Sequence, residues 1–108
     1  MVAVRCKVKV KSPASGKWKK VEAVFDPDAV SDQVSARFLR ELKADFTPGH
    51  RKFLEVEVLG EHLLWEFEVI DHPDFQILFG KNFIQTNGVI VEANRVRFAP
   101  GHPQPAVI

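Results

Sequence analysis

Apolar and polar residues alternate along much of this chain, and the alternation predicts short β-strands. Val2, Val4, Cys6, Val8 and Val10 alternate with basic or small residues. Because successive side chains of a strand point to opposite faces, this period of two predicts a half-buried strand. The same reasoning predicts six further strands, at 18–25, 54–58, 63–69, 75–79, 89–91 and 96–98.

Helical periodicity appears once between these strands. Apolar residues from Val34 to Leu42 recur on one helical face, and charged residues occupy the other. Either Ser31 or Ser35 can cap this helix, and Asp32 suits the positive end of its dipole. A second helix of one or two turns is predicted over 81–86. Many short strands with so little helix predict a mainly β fold, either a small barrel or a sandwich.

Length and composition describe one ordinary globular domain. The chain has 108 residues, of which 45% are hydrophobic and 27% charged. We expect the domain to cover 1–98 and the proline- and glycine-rich residues 99–108 to form a tail or linker. No stretch approaches the roughly 18 apolar residues of a membrane span, so the sequence predicts a soluble, intracellular (cytoplasmic) protein or one excised from a longer polypeptide.

Positive charge is concentrated in the first predicted hairpin, where seven lysine or arginine residues precede Glu22. One interpretation is a patch for phosphates or an acidic partner. The other is cross-strand pairing with the glutamates at positions 55, 57, 66 and 68, and it is favoured because no aromatic residue interleaves with the lysines on their own face. The net charge of +1 also argues against a nucleic-acid partner.

The remaining reactive side chains give weak signals. Cys6 is the single cysteine and lies on the apolar face of its strand, which predicts an inert buried thiol. Trp18 and Trp65 fall on strands and are expected in a core or an interface. The four histidines lie in predicted loops without metal-ligand spacing, at positions 50, 62, 72 and 102.

Candidate chemistry is concentrated where the second strand ends, at Asp26-Pro27-Asp28-Ala29. Asp26 is a candidate acid–base group. Asp28 after a proline is also typical of a turn-forming residue. A third interpretation is a divalent-metal site shared with Asp32, although the spacing lacks the glycine and distal glutamate of a calcium loop.

Two segments of the chain resemble retropepsin-like aspartic proteases, the single-domain type of retroviruses, retroelements and bacteria. The first is 24–29 with the helix that follows it, which resembles an active-site segment in which a strand leads into Asp-Thr/Ser-Gly-Ala. The second is 75–84 with the run 88–91, which resembles the family's second conserved segment of two apolar residues, a glycine and a short helix. The resemblance spans nearly the whole chain to Phe98 and implies a small closed acid-protease barrel.

The resemblance also implies roles for particular residues. Asp26 aligns with the catalytic aspartate, and two chains of a homodimer would each supply one such residue. Binding residues are expected at Ala29, Leu78, Phe79 and Gly80. No cofactor and no metal ion are expected.

Two departures from the family pattern change the functional prediction. Pro27 replaces a hydroxyl residue that bonds the partner chain, and Asp28 replaces a glycine, so two copies would crowd four carboxylates at one axis. Residues 44–52 also leave no room for the flap hairpin that covers substrate. The sequence therefore predicts a domain that has lost peptidase activity and serves in assembly or in binding a protein or peptide partner. The alternative is an active homodimeric aspartic endopeptidase that uses Asp26.

Overall fold

Eight strands and two short helices make up the described part of the chain, residues 3–71 and 73–100, in a computed structural model. In chain order they are β1 (Val4–Lys11), β2 (Trp18–Phe25), β3 (Gln33–Ser35), α1 (Ala36–Glu41), β4 (Arg51–Val58), β5 (Glu61–Ile70), β6 (Ile77–Phe79), α2 (Lys81–Thr86), β7 (Val89–Val91) and β8 (Val96–Phe98). The predicted start of the first strand at Val2, the loop residue His72, and His102 with most of the predicted tail lie outside the described residues.

Six of the strands close into a barrel in the order β1-β2-β6-β3-β5-β4, and β7 pairs with β8 in a separate hairpin. This closure decides between the two predicted architectures in favour of the barrel. The three-residue strand β6 lies between β2, to which it is parallel, and β3, to which it is antiparallel. A strand from the last third of the chain therefore separates the two strands that flank residues 26–32.

The core consists of the inward-facing residues of the barrel strands together with both helices. Phe79 is fully buried; it stacks on Phe25 at 4.8 Å and contacts Phe83 at 4.3 Å and Phe67 at 5.6 Å between ring centroids. Burial of each such aromatic side chain contributes about 1.5–3 kcal/mol. This aromatic cluster joins β2, β5, β6 and α2, so it holds together the strands beneath the candidate site.

The first helix is shorter than the sequence predicts. It ends at Glu41, and the side chain of Ser35 caps it by accepting a hydrogen bond from Phe38 N. Val34 is not part of the helix; it is fully buried in β3, which pairs with β5 and β6 on either side. The spacing of Val34 fits a helical face and predicts a helix, whereas pairing with distant strands decides its conformation.

Strand boundaries also differ from the predictions. β4 and β5 extend to Arg51 and Glu61, so His62 lies in a strand rather than a loop. β6 begins at Ile77, two residues later than predicted. β3 is an additional strand of the barrel that the sequence does not predict. Its three residues pair with two neighbouring strands, but a segment of this length is too short to show alternation.

Candidate functional site

A tight turn follows β2 at the predicted chemical site. The N–H of Ala29 donates to the carbonyl of Asp26 at 3.1 Å, and Pro27 occupies the second position of this turn, which proline favours. The N–H of Asp28 donates to Oδ1 of Asp26 at 2.9 Å. Asp28 does not have a positive φ, so its backbone conformation does not require a glycine at this position.

The second predicted segment packs directly against this turn. The N–H of Asp26 donates to Phe79 O at 2.9 Å, and the N–H of Lys81 donates to Ala29 O at 2.7 Å. A Cβ atom on Gly80 would lie 2.7 Å from Ala29 O and 2.5 Å from Ser31 O. Only glycine allows this approach, so the structure brings the two sequence segments together through their backbones.

Asp32 lies between the turn and β3, and its side chain links this part of the chain to α2 and β5 in a way that the sequence does not indicate. Its side chain is buried, and Oδ1 accepts hydrogen bonds from Gly80 N at 2.6 Å and Phe83 N at 3.3 Å. Oδ2 accepts one from Trp65 Nε1 at 2.8 Å. Asp32 was expected to act at the start of the first helix, but its partners are the N–H groups at the start of the second.

The weak divalent-metal interpretation is not supported by this geometry. Both oxygens of Asp32 already accept hydrogen bonds from the chain itself, so they are not free to share a metal ion with Asp26 and Asp28. Within residues 3–71 and 73–100, no three histidine, cysteine, aspartate or glutamate side chains form a group that could hold a metal ion.

The predicted site residues differ in their accessibility. Asp26 and Ala29 are half-buried, whereas Asp28 is exposed, and Val30 beyond them is 83% exposed. Leu78 is largely buried; it is paired with Val24, and neither belongs to the main core cluster.

Two of the four residues expected to bind, Phe79 and Gly80, are buried. Phe79 is fully buried in the aromatic cluster, and Gly80 is buried beneath the turn. Both lie beneath the turn, whereas every residue from Asp26 to Val30 is at least partly exposed.

Two solved structures share this architecture. The retroviral protease-like domain of Ddi1 from Leishmania major superposes with a TM-score of 0.74 at 13% sequence identity, over 94% of this chain and 91% of that chain. EIAV protease in complex with the inhibitor HBY-793 superposes with a TM-score of 0.58 at 14% identity, over 82% of this chain and 90% of that chain. The chain has a retropepsin-like fold. Neither a scan against protein-family models nor a search of curated proteins finds a match.

The connection between α1 and β4 contains no hairpin, and this is where the sequence predicts that the flap is absent. Residues 42–50 connect α1 to β4 through turns and contain no strand. Lys43 has a φ of 54° and completes the end of α1, where Ala44 N donates to Leu39 O at 3.0 Å. This connection therefore terminates the helix and returns the chain to the barrel without covering residues 26–30 by a hairpin of its own.

The basic hairpin of the domain is partly neutralised by glutamates, as the favoured interpretation predicts. Lys9 pairs with Glu57 at 3.6 Å, and Lys11 pairs with Glu55 at 3.1 Å. Glu66 pairs with Arg51 instead, at 3.2 Å. The expectation of pairing is thus confirmed for the first two of the four glutamates.

Trp18 corrects one premise of that prediction. Trp18 and Lys20 are two residues apart on β2 and therefore share a face, so an aromatic residue does lie among the lysines. Its ring is stacked on His62 with centroids 4.8 Å apart. Trp65 is half-buried and lies against Phe83 at 5.0 Å, as expected for a core residue.

Two other sequence-based expectations concern Cys6 and the membrane. Cys6 is half-buried rather than fully buried as predicted, and this partial burial raises the pKa of its thiol above the usual value. Among the described residues, no helix is long and apolar enough to cross a membrane.

Proposed function

We propose that this retropepsin-like domain binds a protein partner, or a second copy of itself, and does not cleave peptides. The observation that carries the proposal is the turn Asp26-Pro27-Asp28 at the end of β2. Pro27 offers neither a hydroxyl nor an N–H to a second chain. A turn of this composition can pack against a partner, but it lacks the groups that would lock two catalytic aspartates together.

Electrostatics support the same conclusion. General acid–base catalysis by an aspartate pair needs two carboxylates that share one proton. Asp28 adds an exposed carboxylate beside Asp26 in each copy, so a two-fold dimer would gather four of them. Two like charges 4 Å apart near a protein surface repel by about 4 kcal/mol, which opposes that arrangement.

The short connection between α1 and β4 is a second reason. An enzyme gains rate when a lid excludes water and positions the substrate. Residues 42–50 provide no hairpin for this purpose. The exposed surface from Asp26 to Val30 is therefore better suited to contact with a folded partner or a peptide than to enclosed catalysis.

An active aspartic endopeptidase is the second candidate, and one contact favours it. The N–H of Asp28 donates to Oδ1 of Asp26 at 2.9 Å, so the carboxylate is oriented although the residue that orients it is not glycine. A half-buried, oriented Asp26 carboxylate could act in acid–base catalysis together with the same carboxylate of a second chain.

Cleavage of a mixed peptide library distinguishes the two candidates. Wild type, Asp26→Asn and the control Asp45→Asn, which changes an exposed aspartate outside the site, are compared from acidic to neutral pH. We expect no cleavage by any of the three proteins while circular dichroism shows that all are folded. Cleavage by wild type and Asp45→Asn that is absent in Asp26→Asn would establish a peptidase and refute the proposal.

Self-association is measured on the same proteins by sedimentation at several concentrations. A dimer that forms through residues 26–30 should become tighter in Asp28→Asn, because the substitution removes one negative charge from each copy. Equal association of wild type and Asp28→Asn would exclude residues 26–30 as the dimer contact. The partner of this surface would then be a different protein.

A further inference from the structure

We propose that a lysine face on the side of the barrel binds an acidic segment of a partner protein. The lysine face is a cleft of about 190 Å³ lined by Lys7, Val8, Lys9, Lys20, Glu57, Leu59 and Gly60. It lies on β1 and β2 next to the turn between β4 and β5. Three lysines and one glutamate give this cleft a net charge of +2, although the whole chain carries only +1.

The pairing register places like charges directly against each other in this cleft. Lys9 of β1 lies opposite Lys20 of β2, whereas Lys7 lies opposite the oppositely charged Glu22. Like charges at directly opposed positions of a sheet are unfavourable. Glu57 offsets this repulsion at Lys9 only, and a bound anionic group beside Lys20 would relieve it further.

The acidic residues nearby are already engaged elsewhere. Glu22 pairs with Arg5 at 3.6 Å, and Glu57 is shared between Lys9 at 3.6 Å and His62 at 3.7 Å. Within the described ranges, neither Lys7 nor Lys20 takes part in an ion pair. The positive charges of Lys7 and Lys20 are thus available for carboxylates from another molecule.

Neighbouring residues favour a protein segment over a nucleic acid. Leu59 is 38% exposed at the edge of the cleft and can contact an apolar side chain. Single-stranded nucleic acids need open aromatic faces on which bases stack. Trp18 stands on the lysine side of β2, but one face of its ring is covered by His62. Carboxylates interspersed with an apolar residue therefore match the cleft best.

This inference names the partner class of the interaction module and so rests on the proposed function. The lysine face is formed by residues other than those of the Asp26 turn. Peptide cleavage and acidic-peptide binding are therefore separate measurements, and the failure of one proposal does not produce the failure of the other.

Fluorescence anisotropy tests the proposal with a short labelled peptide rich in glutamate around a central leucine. The comparison probes are the same peptide with glutamine for glutamate and a single-stranded oligonucleotide of matching length. The full chain is used as wild type, as Lys7→Glu/Lys20→Glu, and as the neutral Lys7→Gln/Lys20→Gln. A control of equal charge change is Arg37→Glu/Lys81→Glu, two exposed positions outside the cleft.

We expect wild type and the control to bind the glutamate peptide with similar Kd, and the neutral variant to bind it about tenfold more weakly, as for the loss of two surface ion pairs. Charge reversal should abolish binding, and the glutamine peptide should bind no protein. Equal weakening in the control would show that net charge alone attracts the peptide and would overturn the proposal. Tighter binding of the oligonucleotide than of the peptide would also overturn it.

Discussion

Replacement of Gly80 by alanine tests whether backbone contact between the two site segments stabilises the domain. The new Cβ would lie 2.5 Å from Ser31 O, about 0.9 Å short of the 3.4 Å at which ordinary contact begins, and 2.7 Å from Ala29 O. Both obstacles are backbone atoms, so no side-chain rotation relieves the clash. Either residues 29–31 or the start of α2 must move.

The expected cost of Gly80→Ala combines three effects. Overpacking of this kind costs about 1–3 kcal/mol. Separation of the segments also weakens the bonds from Gly80 N to Asp32 at 2.6 Å and from Lys81 N to Ala29 at 2.7 Å, each contributing about 1 kcal/mol. Alanine reduces the entropy of the unfolded chain and returns about 0.4–1 kcal/mol. We therefore expect the free energy of unfolding to fall by about 2–4 kcal/mol.

Urea denaturation followed by tryptophan fluorescence measures this change, and thermal unfolding provides a second measure. A loss of this size lowers Tm by about 10–25 °C in a domain of this length. Gly60→Ala is the control: its φ is +85° and nothing lies within 4 Å of its added Cβ, so only backbone strain of about 1–2 kcal/mol applies. If Gly80→Ala is no more destabilising than Gly60→Ala, the close approach of the two segments is not a source of stability.

Two further predictions concern a buried carboxylate and a half-buried thiol. Asp32→Ala should lower the free energy of unfolding by about 3 kcal/mol, because it leaves donors such as Trp65 Nε1 and Gly80 N without their acceptor. Asp32→Asn should lower it less, because one side-chain oxygen remains. Equal losses of the two variants in a urea titration would contradict this prediction. Partial burial raises the pKa of the Cys6 thiol above its usual value. At pH 8 less thiolate is therefore present, and alkylation by iodoacetamide should be slower than that of a free thiol until the protein is unfolded in urea. Alkylation of the native protein at the rate of a free thiol would show that the thiol is accessible.

Much of the barrel could be predicted because its long strands carry local information. Alternation along Trp18–Phe25 and along Leu63–Val69 reflects one buried and one exposed face, and such a face is a property of consecutive residues. The resemblance of two short segments to the retropepsin pattern predicted the barrel type as well. Ser35 was among the predicted caps because a hydroxyl before a helical pattern is also a local signal.

The candidate site could be predicted only in part. The turn at Asp26 was located because a strand ends there in aspartate and proline. The sequence does not reveal the role of Asp32, which directly precedes β3 and is buried. Its hydrogen-bond partners are 33 to 51 residues away, and no local pattern identifies partners at that distance.

The sequence by itself determined the strand faces, the second helix and the turn at Asp26, because each depends on neighbouring residues and on the period of their side chains. Tertiary structure alone decided that three residues around Val34 form a strand, that Phe79 serves the core, and that Gly80 must be glycine. It also decided that Lys9 faces Lys20. These features depend on the register and approach of segments that are distant in the chain, and barrel closure sets both.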